Sequence, residues 1–146
     1  MPVDPAFIGK EFPPTSLTVD AGRLRFFAKA IGETDPIYFD ASAARDAGHP
    51  NLPLPPTFLF SLEFEQPSSG WRQEIGIVPS RILHGEQQFS YHRMAYAGDT
   101  LQYESRLTDI YDKKNGALDF IVRETRVTNQ NGEHVADLRS IIVQRN

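Results

Sequence analysis

The sequence predicts a two-layer α+β fold, and three observations support this prediction. The second half contains four segments of about eleven residues that are rich in β-branched and aromatic side chains. Glycine-containing turn sequences separate these segments. The first half contains an amphipathic segment and a short segment, TFLFSLEF, that is apolar on nearly every side. An antiparallel sheet packed on one enclosed helix accommodates all three features.

The four predicted strands are LHGEQQFSYHR, TLQYESRLTDI, ALDFIVRETRV and HVADLRSIIVQ. Apolar alternation is clearest at Leu101, Tyr103 and Leu107. The sequences between the strands are AYAGD, KKNG and NQNG, and Asn-Gly pairs supply the positive φ that tight hairpins require. These segments predict a meander of antiparallel strands, whose edges favour pairing with a second copy or a relative.

The amphipathic segment predicts a helix that Asp20 caps and Gly32 ends. Its buried face is predicted from the i, i+3, i+4, i+7 spacing of Leu24, Phe27, Ala28 and Ile31. Asp40 is predicted to cap a short second helix over ASAARDA that stops at Gly48. A rigid, extended loop then precedes the enclosed TFLFSLEF helix because four prolines fall close together, at Pro50, Pro53, Pro55 and Pro56.

Composition and charge limit the function. The 146 residues suit one domain over residues 1–146, and a formal net charge of −4 offers no broad basic surface for nucleic acid. No apolar run approaches the roughly 18 residues of a membrane span. The N-terminal segment lacks a signal-peptide pattern and cysteine is absent, which predicts a cytoplasmic protein. The four histidines show no H-x-x-x-H spacing and no phosphate loop is present, so neither a metal nor a cofactor is predicted.

Three stretches resemble a known family. LHGEQQFSYHRMAYAGDTL is similar to the signature stretch of the MaoC-related dehydratase N-terminal domains, and the similarity continues through FFAKAIGETDPIYFD and PPTFLFSL. Met94 departs from the family, which commonly has proline after His-Arg. The resemblance implies a single hot-dog domain, in which a curved antiparallel sheet wraps around a long central helix. It also implies dimers, acyl thioesters of CoA or carrier protein as ligands, and reversible addition of water to a 2-enoyl thioester.

Hydration of an enoyl thioester needs a base for the attacking water, an acid for the α-carbon and a donor to the thioester oxygen. The resemblance implies that active members supply the acid/base pair from a D-x-N-P-[IL]-H motif after the first helix. It implies that the donor is a backbone N–H of a His-Gly pair just before the central helix.

This sequence departs from the first motif. ETDPIY places Glu33 at the Asp position, Asp35 at the Asn position and Tyr38 at the His position. Glutamate retains a carboxylate for base chemistry. A phenol, whose unperturbed pKa is about 10, is poorly matched to proton transfer near neutrality, unlike imidazole at about 6.5.

The second motif is also altered. A gap-free alignment from Gly48 puts Pro55-Pro56 on the His-Gly pair, and proline has no N–H to donate. Thr57 offers the next amide. The two departures together predict a half-site that is inactive by itself.

The candidate catalytic residues are therefore Glu33, Tyr38 and His84, and the candidate substrate-binding residues are Asp35, Thr57, Gly85 and Arg93. Each has a structural alternative. The stretch from Glu33 to Asp35 could equally form a solvated helix end. Tyr38 could equally be a half-buried core aromatic. His84 also suits the start of a strand, and Gly85 the close approach of a ligand or a neighbouring strand. Arg93 suits either a strand face or a CoA phosphate.

Three functions remain open at this stage. The leading hypothesis is a non-catalytic or weakly catalytic subunit of an acyl-thioester dehydratase that pairs with a MaoC-type chain carrying the intact motif. The second is a homodimeric hydratase that uses Glu33, with His84 in place of the missing histidine. The third is an acyl-thioester binding protein without any reaction.

Overall fold

The α+β architecture is confirmed by the computed structural model of the protein, which describes residues 2–67 and 70–146. Five strands form one antiparallel sheet in the order β1-β3-β4-β5-β2: β1 Thr15–Thr18, β2 Ile82–Tyr91, β3 Thr100–Lys113, β4 Leu118–Thr128 and β5 His134–Arg145. Within these described residues, four α-helices accompany the sheet: α1 Ala21–Ala30, α2 Ala41–Asp46, α3 Phe58–Glu65 and α4 Trp71–Glu74. No helix within the described ranges has both the length and the apolar character needed to cross a bilayer.

The core forms where α3 packs on the sheet. Leu59 and Leu62 of α3 are fully buried in one cluster with side chains from three strands: Leu101, Tyr103, Val127 and Leu138. The Tyr103 hydroxyl donates a hydrogen bond of 3.1 Å to the Leu59 carbonyl, so this buried hydroxyl has a partner. Burying each leucine contributes about 1.5–3 kcal/mol. A short helix over most of TFLFSLEF is therefore confirmed, although it spans eight residues rather than forming the long helix expected from the resemblance.

The first helix begins and ends where the sequence predicts. The Asp20 carboxylate accepts from the Arg23 backbone N–H at 3.0 Å. Leu24 and Ala28 are fully buried, and Phe27 is partly buried. The prediction for Ile31 is wrong, because the helix ends at Ala30 and the side chain of Ile31, in the C-cap position, is 52% exposed.

The sequence did not indicate one strand of the sheet, and the expected strand order is wrong. The first half contains a strand, β1, which is too short to show alternation and pairs at the edge with β3. The strands do not form a simple meander, because β2 pairs with β5 instead of β3. The connection from β2 to β3 bonds to the proline-rich loop, with Leu54 N–H donating to Ala95 and Ala97 N–H donating to Leu52, so it does not turn back as a hairpin.

The helix α3 is not enclosed on every side. Phe64 is 69% exposed, and its ring lies 6.1 Å from that of Phe60. The Phe60 ring lies 5.1 Å from the ring of His84 on the edge strand β2, where Leu83 is 50% exposed. We call these four residues the edge patch. It runs from α3 around the unpaired edge of β2, because Leu83 and His84 are consecutive on the strand and face opposite sides of the sheet. Proteins commonly cover such an edge with a partner.

Candidate functional site

Glu33 is positioned by the end of α1. Gly32 has a φ of +77°, a conformation that glycine adopts without steric cost. The Glu33 N–H donates to the Ala28 carbonyl at 2.9 Å and the Gly32 N–H to the Lys29 carbonyl at 3.1 Å, which is the Schellman arrangement. The chain therefore leaves the helix in a fixed direction at the start of ETDPIY.

The two carboxylates of this segment are engaged locally. Glu33 Oε1 accepts hydrogen bonds from the backbone N–H groups of Thr34 and Asp35, at 3.0 and 3.1 Å. Asp35 Oδ1 accepts from the Ile37 N–H at 3.1 Å and so caps the 3-10 helix Pro36–Tyr38. Both acids therefore stabilise their own turn, as the structural alternative requires.

Tyr38 is half-buried beside these acids. Burial raises the pKa of its phenol above the ordinary value, and the negative charges of Glu33 and Asp35 raise the pKa further. The phenol is therefore neutral near pH 7. It can donate a hydrogen bond, but it cannot exchange protons as the imidazole implied by the family motif would.

Tyr91 joins this site from the end of β2, and sequence reasoning did not single it out. Its hydroxyl donates to the carbonyl of Pro56, just before α3. Burial raises the pKa of the Tyr91 phenol, and the neighbouring Tyr38 adds to that shift. Its position inside the signature stretch LHGEQQFSYHR could have identified Tyr91 as a candidate site residue.

Thr57 is the exposed N-cap residue of α3, with φ −84° and ψ −6°. Its side chain makes no capping bond, and no residue in the described ranges accepts a hydrogen bond from its backbone N–H. The first amide after Pro55-Pro56 thus points from the positive end of the α3 dipole and is available to a ligand oxygen.

His84 is not brought together with Glu33 and Tyr38. It lies near the start of β2, against Phe60, whereas Tyr91 at the strand's other end contacts the site. At 3.2–3.4 Å per residue, the seven steps from His84 to Tyr91 span about 23 Å. Within one copy of the chain, His84 belongs to the edge patch and not to the Glu33–Tyr38 pair.

Gly85 allows β2 to approach β5 closely. The strand register shifts between His84 and Glu86, which marks a bulge at Gly85. A Cβ at this position would lie 2.9 Å from Val143 Cγ2 and 3.1 Å from the Ile141 carbonyl. The close approach of the neighbouring strand accounts for a glycine at this position.

Substituting Gly85→Ala is expected to destabilise the protein by about 1–3 kcal/mol, because the added methyl group must displace backbone and side-chain atoms of β5. Urea denaturation measures this loss. The matched control is Glu86→Ala, an exposed neighbour on the same strand, which we expect to change stability by less than about 0.5 kcal/mol. If Gly85→Ala is as stable as the control, β2 does not pack against β5 as closely at Gly85 as the structure indicates.

Arg93 is exposed and forms an ion pair with Glu133, with Nη1 2.9 Å from Oε2. Hydrogen bonds from Asn129 and Asn131 help to lower the pKa of the Glu133 carboxyl, which remains ionised beside the guanidinium. A CoA phosphate would have to compete with this carboxylate for Arg93.

A buried ion pair under α3 was not predicted from the sequence. Arg123 Nε on β4 lies 3.4 Å from Glu63 Oε1, and Arg123 Nη2 donates to Ser105 Oγ at 3.1 Å. The Arg123 guanidinium also lies 5.1 Å from the Phe12 ring centroid and 5.7 Å from that of Trp71. Burial raises the pKa of the Glu63 carboxyl against the attraction of Arg123, and burial lowers the pKa of Arg123. The sequence contained a signal for this pair, because TFLFSLEF places the acid Glu63 inside an otherwise apolar helix.

Comparison with known proteins identifies the family. Residues 6–138 match the family described as FAS1-like, dehydratase domain region. The chain belongs to this family. It is 36% identical to a UPF0336 protein of Saccharopolyspora erythraea over 147 aligned positions, which cover 99% of this chain and 93% of that protein.

Two solved structures agree with this assignment. A chain from the HadBC (3R-hydroxyacyl-ACP dehydratase) complex of Mycobacterium tuberculosis is 26% identical, with a TM-score of 0.80 over 94% of this chain and 96% of the other. A MaoC-like dehydratase is 27% identical, with a TM-score of 0.83 over 97% of this chain and 43% of the other. The hot-dog fold and the MaoC relationship expected from the sequence are confirmed.

Proposed function

We propose that this chain is a subunit of an acyl-thioester dehydratase that helps to hold the substrate and depends on a partner for acid/base chemistry. The observation that carries the proposal is the state of Tyr38. Its phenol occupies the histidine position of the motif, and burial and two neighbouring carboxylates raise its pKa. Within the described residues of one copy, no imidazole joins Glu33 and Tyr38.

The groups that remain suit substrate positioning. The free Thr57 amide at the start of α3 can donate to the oxygen of a CoA or carrier-protein thioester. The charge state of Tyr38 is coupled to that of Tyr91, whose hydroxyl is already anchored on the Pro56 carbonyl. These donors can orient an acyl thioester, although neither phenol is suited to remove a proton from water near neutrality.

The similarity to a chain of the HadBC complex supports a partnered state. The edge patch gives that partner a physical basis, because it combines an unpaired strand edge with exposed aromatic and aliphatic side chains. The occupant that we propose is a MaoC-type chain with the intact D-x-N-P-[IL]-H motif. Its edge strand would extend the sheet beside β2.

Co-expression with such a catalytic chain tests the proposal. We expect a stable complex that hydrates a 2-enoyl thioester at least about tenfold faster than the catalytic chain alone, because the substrate is positioned by both subunits. Tight binding of an acyl thioester without any effect on the catalytic chain would instead favour the binding-protein hypothesis. If the chain neither forms a complex nor binds the ligand, both hypotheses are rejected.

Substituting Phe64→Asp or Leu83→Asp in the edge patch is expected to weaken that complex at least about tenfold, because each places a charge in a buried apolar contact. Analytical ultracentrifugation measures the association. The matched control is Phe26→Asp on α1, a position that is 77% exposed and outside the patch. An unchanged complex in both patch variants would show that the partner binds elsewhere.

A second candidate, the homodimeric hydratase, is favoured by one feature of β2. His84 and Tyr91 lie near opposite ends of this edge strand, so antiparallel pairing of two copies would bring His84 of one copy towards Tyr91 of the other. This arrangement would supply the missing imidazole. If the homodimeric hydratase is correct, the isolated chain is active, and both Glu33→Gln and His84→Gln abolish that activity.

A further inference from the structure

Three metal-binding side chains converge where β2 ends beside β5. His92 Nε2 lies 3.0 Å from Asp137 Oδ2, and His134 Nε2 lies 2.8 Å from Asp137 Oδ1. The centroids of the two imidazole rings are 4.3 Å apart and their planes differ by 30°. Both rings therefore direct the same nitrogen at one carboxylate, and all three ligand atoms lie within 4.8 Å of one another.

The backbone holds these residues in place. The N–H groups of His92 and Arg93 both donate to the Val135 carbonyl, at 2.8 and 3.1 Å, which fixes the end of β2 against β5. His134 and Asp137 both lie on β5 itself. Sites built on strands are held more firmly than sites on loops.

We propose that His92, His134 and Asp137 bind a divalent transition-metal ion of the zinc class. Ligand atoms at 2.0–2.1 Å from a tetrahedral ion are about 3.3 Å apart. The two observed nitrogen–oxygen separations, each to a different oxygen of Asp137, need to open by only a few tenths of an ångström, and the imidazole nitrogens must move closer together. The side chains have room for this adjustment because His92 and Asp137 are about half exposed.

The chemistry of the three ligands selects the class of ion. Imidazole nitrogens suit zinc, copper, nickel and iron, whereas magnesium and calcium require sites dominated by oxygen ligands. The exposure of the cluster leaves a position for water as a further ligand. The nearby cation Arg93 is paired with Glu133, which offsets its repulsion of a metal ion. Sequence spacing gave no indication of this site, because His92 and Asp137 are 45 positions apart.

The site is separate from the proposed substrate site. Ala136 and Leu138 flank Asp137 and face the buried core, so Asp137 points to the other face of the sheet. Tyr91 is in register with Ala136, whereas Ser90 is in register with Asp137. An ion would therefore tie β2 to β5 on the outer face, and its role is structural.

Zinc titration of the tag-free, chelator-treated protein tests this inference. Isothermal titration calorimetry should show one bound Zn²⁺ per chain, and Co²⁺ should give the visible absorption of a tetrahedral site. His92→Gln and His134→Gln should each lower the affinity more than about tenfold, since even outer-shell changes cost 10–100-fold. His49→Gln and His84→Gln are matched controls and should bind as the wild type does. The sequence has no cysteine to bind zinc elsewhere.

Thermal unfolding provides the second measurement. Zn²⁺ should raise the Tm of the wild type, because an ion that binds only the folded state stabilises that state. The double variant His92→Gln/His134→Gln should remain folded by circular dichroism and show no such rise. Equal zinc affinity in the double variant, or no binding by the folded wild type, would overturn the proposal. Either outcome leaves the dehydratase proposal untouched, since that depends on the opposite face.

Discussion

Purified alone, the chain is expected to hydrate a short 2-enoyl-CoA at least about 100-fold more slowly than ordinary enzymes, whose kcat values are about 1–10³ s⁻¹. The physical reason is the missing proton-transfer partner. A well-matched acid or base contributes about 10²–10⁴-fold, and Tyr38 has a phenol pKa raised by burial and by Glu33 and Asp35. Pro55-Pro56 removes two backbone donors before α3 as well.

The measurement is a spectrophotometric hydration assay on the wild type and on Glu33→Gln. We expect the residual rate to change by less than about twofold, because the Glu33 carboxylate accepts hydrogen bonds from its own turn. The control for folding is the circular dichroism of both proteins. His84→Gln is the matched variant at a histidine outside the Glu33–Tyr38 pair and should have no effect either.

Robust turnover that Glu33→Gln abolishes would contradict the partnered-subunit proposal. If His84→Gln abolishes it too, the homodimeric hydratase becomes the better explanation. Turnover that survives both substitutions would place the chemistry on other residues. Each result is distinguishable from simple misfolding by the circular dichroism of the same samples.

The parts of the fold that could be predicted are those with strong local signals. Asp20 and Gly32 bracket α1 because capping and left-handed termination are decided within one turn of helix. The four long strands were predictable from their β-branched and aromatic content. Their order was not, because β2 pairs with β5 instead of β3 and the β2–β3 connection bonds to the distant proline-rich loop, which no local pattern indicates.

In the candidate site too, the residues with local signals were predictable and those with distant neighbours were not. Glu33, Asp35 and Tyr38 adjoin in the sequence and were found together. Tyr91 was missed because its contact with Pro56 links two distant segments. His84 and Gly85 were singled out from the signature stretch, but their surroundings are Phe60 and β5. Sequence patterns identified residues with local roles and could not assign those whose neighbours come from elsewhere in the chain.

The buried pair Glu63–Arg123 leads to the largest expected effect on stability. Arg123→Met is expected to destabilise the protein by about 3–5 kcal/mol near pH 7, because Glu63 is left buried without its counter-charge. Methionine keeps much of the volume of arginine and can still pack against Phe12 and Trp71, so the loss reports the charge more than the packing. Urea denaturation at several pH values measures it.

The pH dependence separates a charge effect from a packing effect. The pKa of Glu63 is raised in the folded protein, so the folded state holds this proton at a higher pH than the unfolded chain, whose glutamate pKa is about 4.3. Stability from this group is therefore fully present below pH 4.3 and is lost as the pH rises through the folded pKa. Without Arg123 the folded pKa rises further, so the deficit of Arg123→Met should be largest at pH 7–8 and smaller near pH 4–5.

The matched control is the double variant Glu63→Met/Arg123→Met. Replacing a buried ion pair by apolar residues of similar volume is often neutral or stabilising, because neither charge then has to leave water. We expect the double variant to recover most of the loss and to lack its pH dependence. A deficit of the same size at pH 5 and pH 8, or a double variant as unstable as Arg123→Met, would mean that Arg123 stabilises the fold through its contacts with Phe12, Trp71 and Ser105 rather than through its charge.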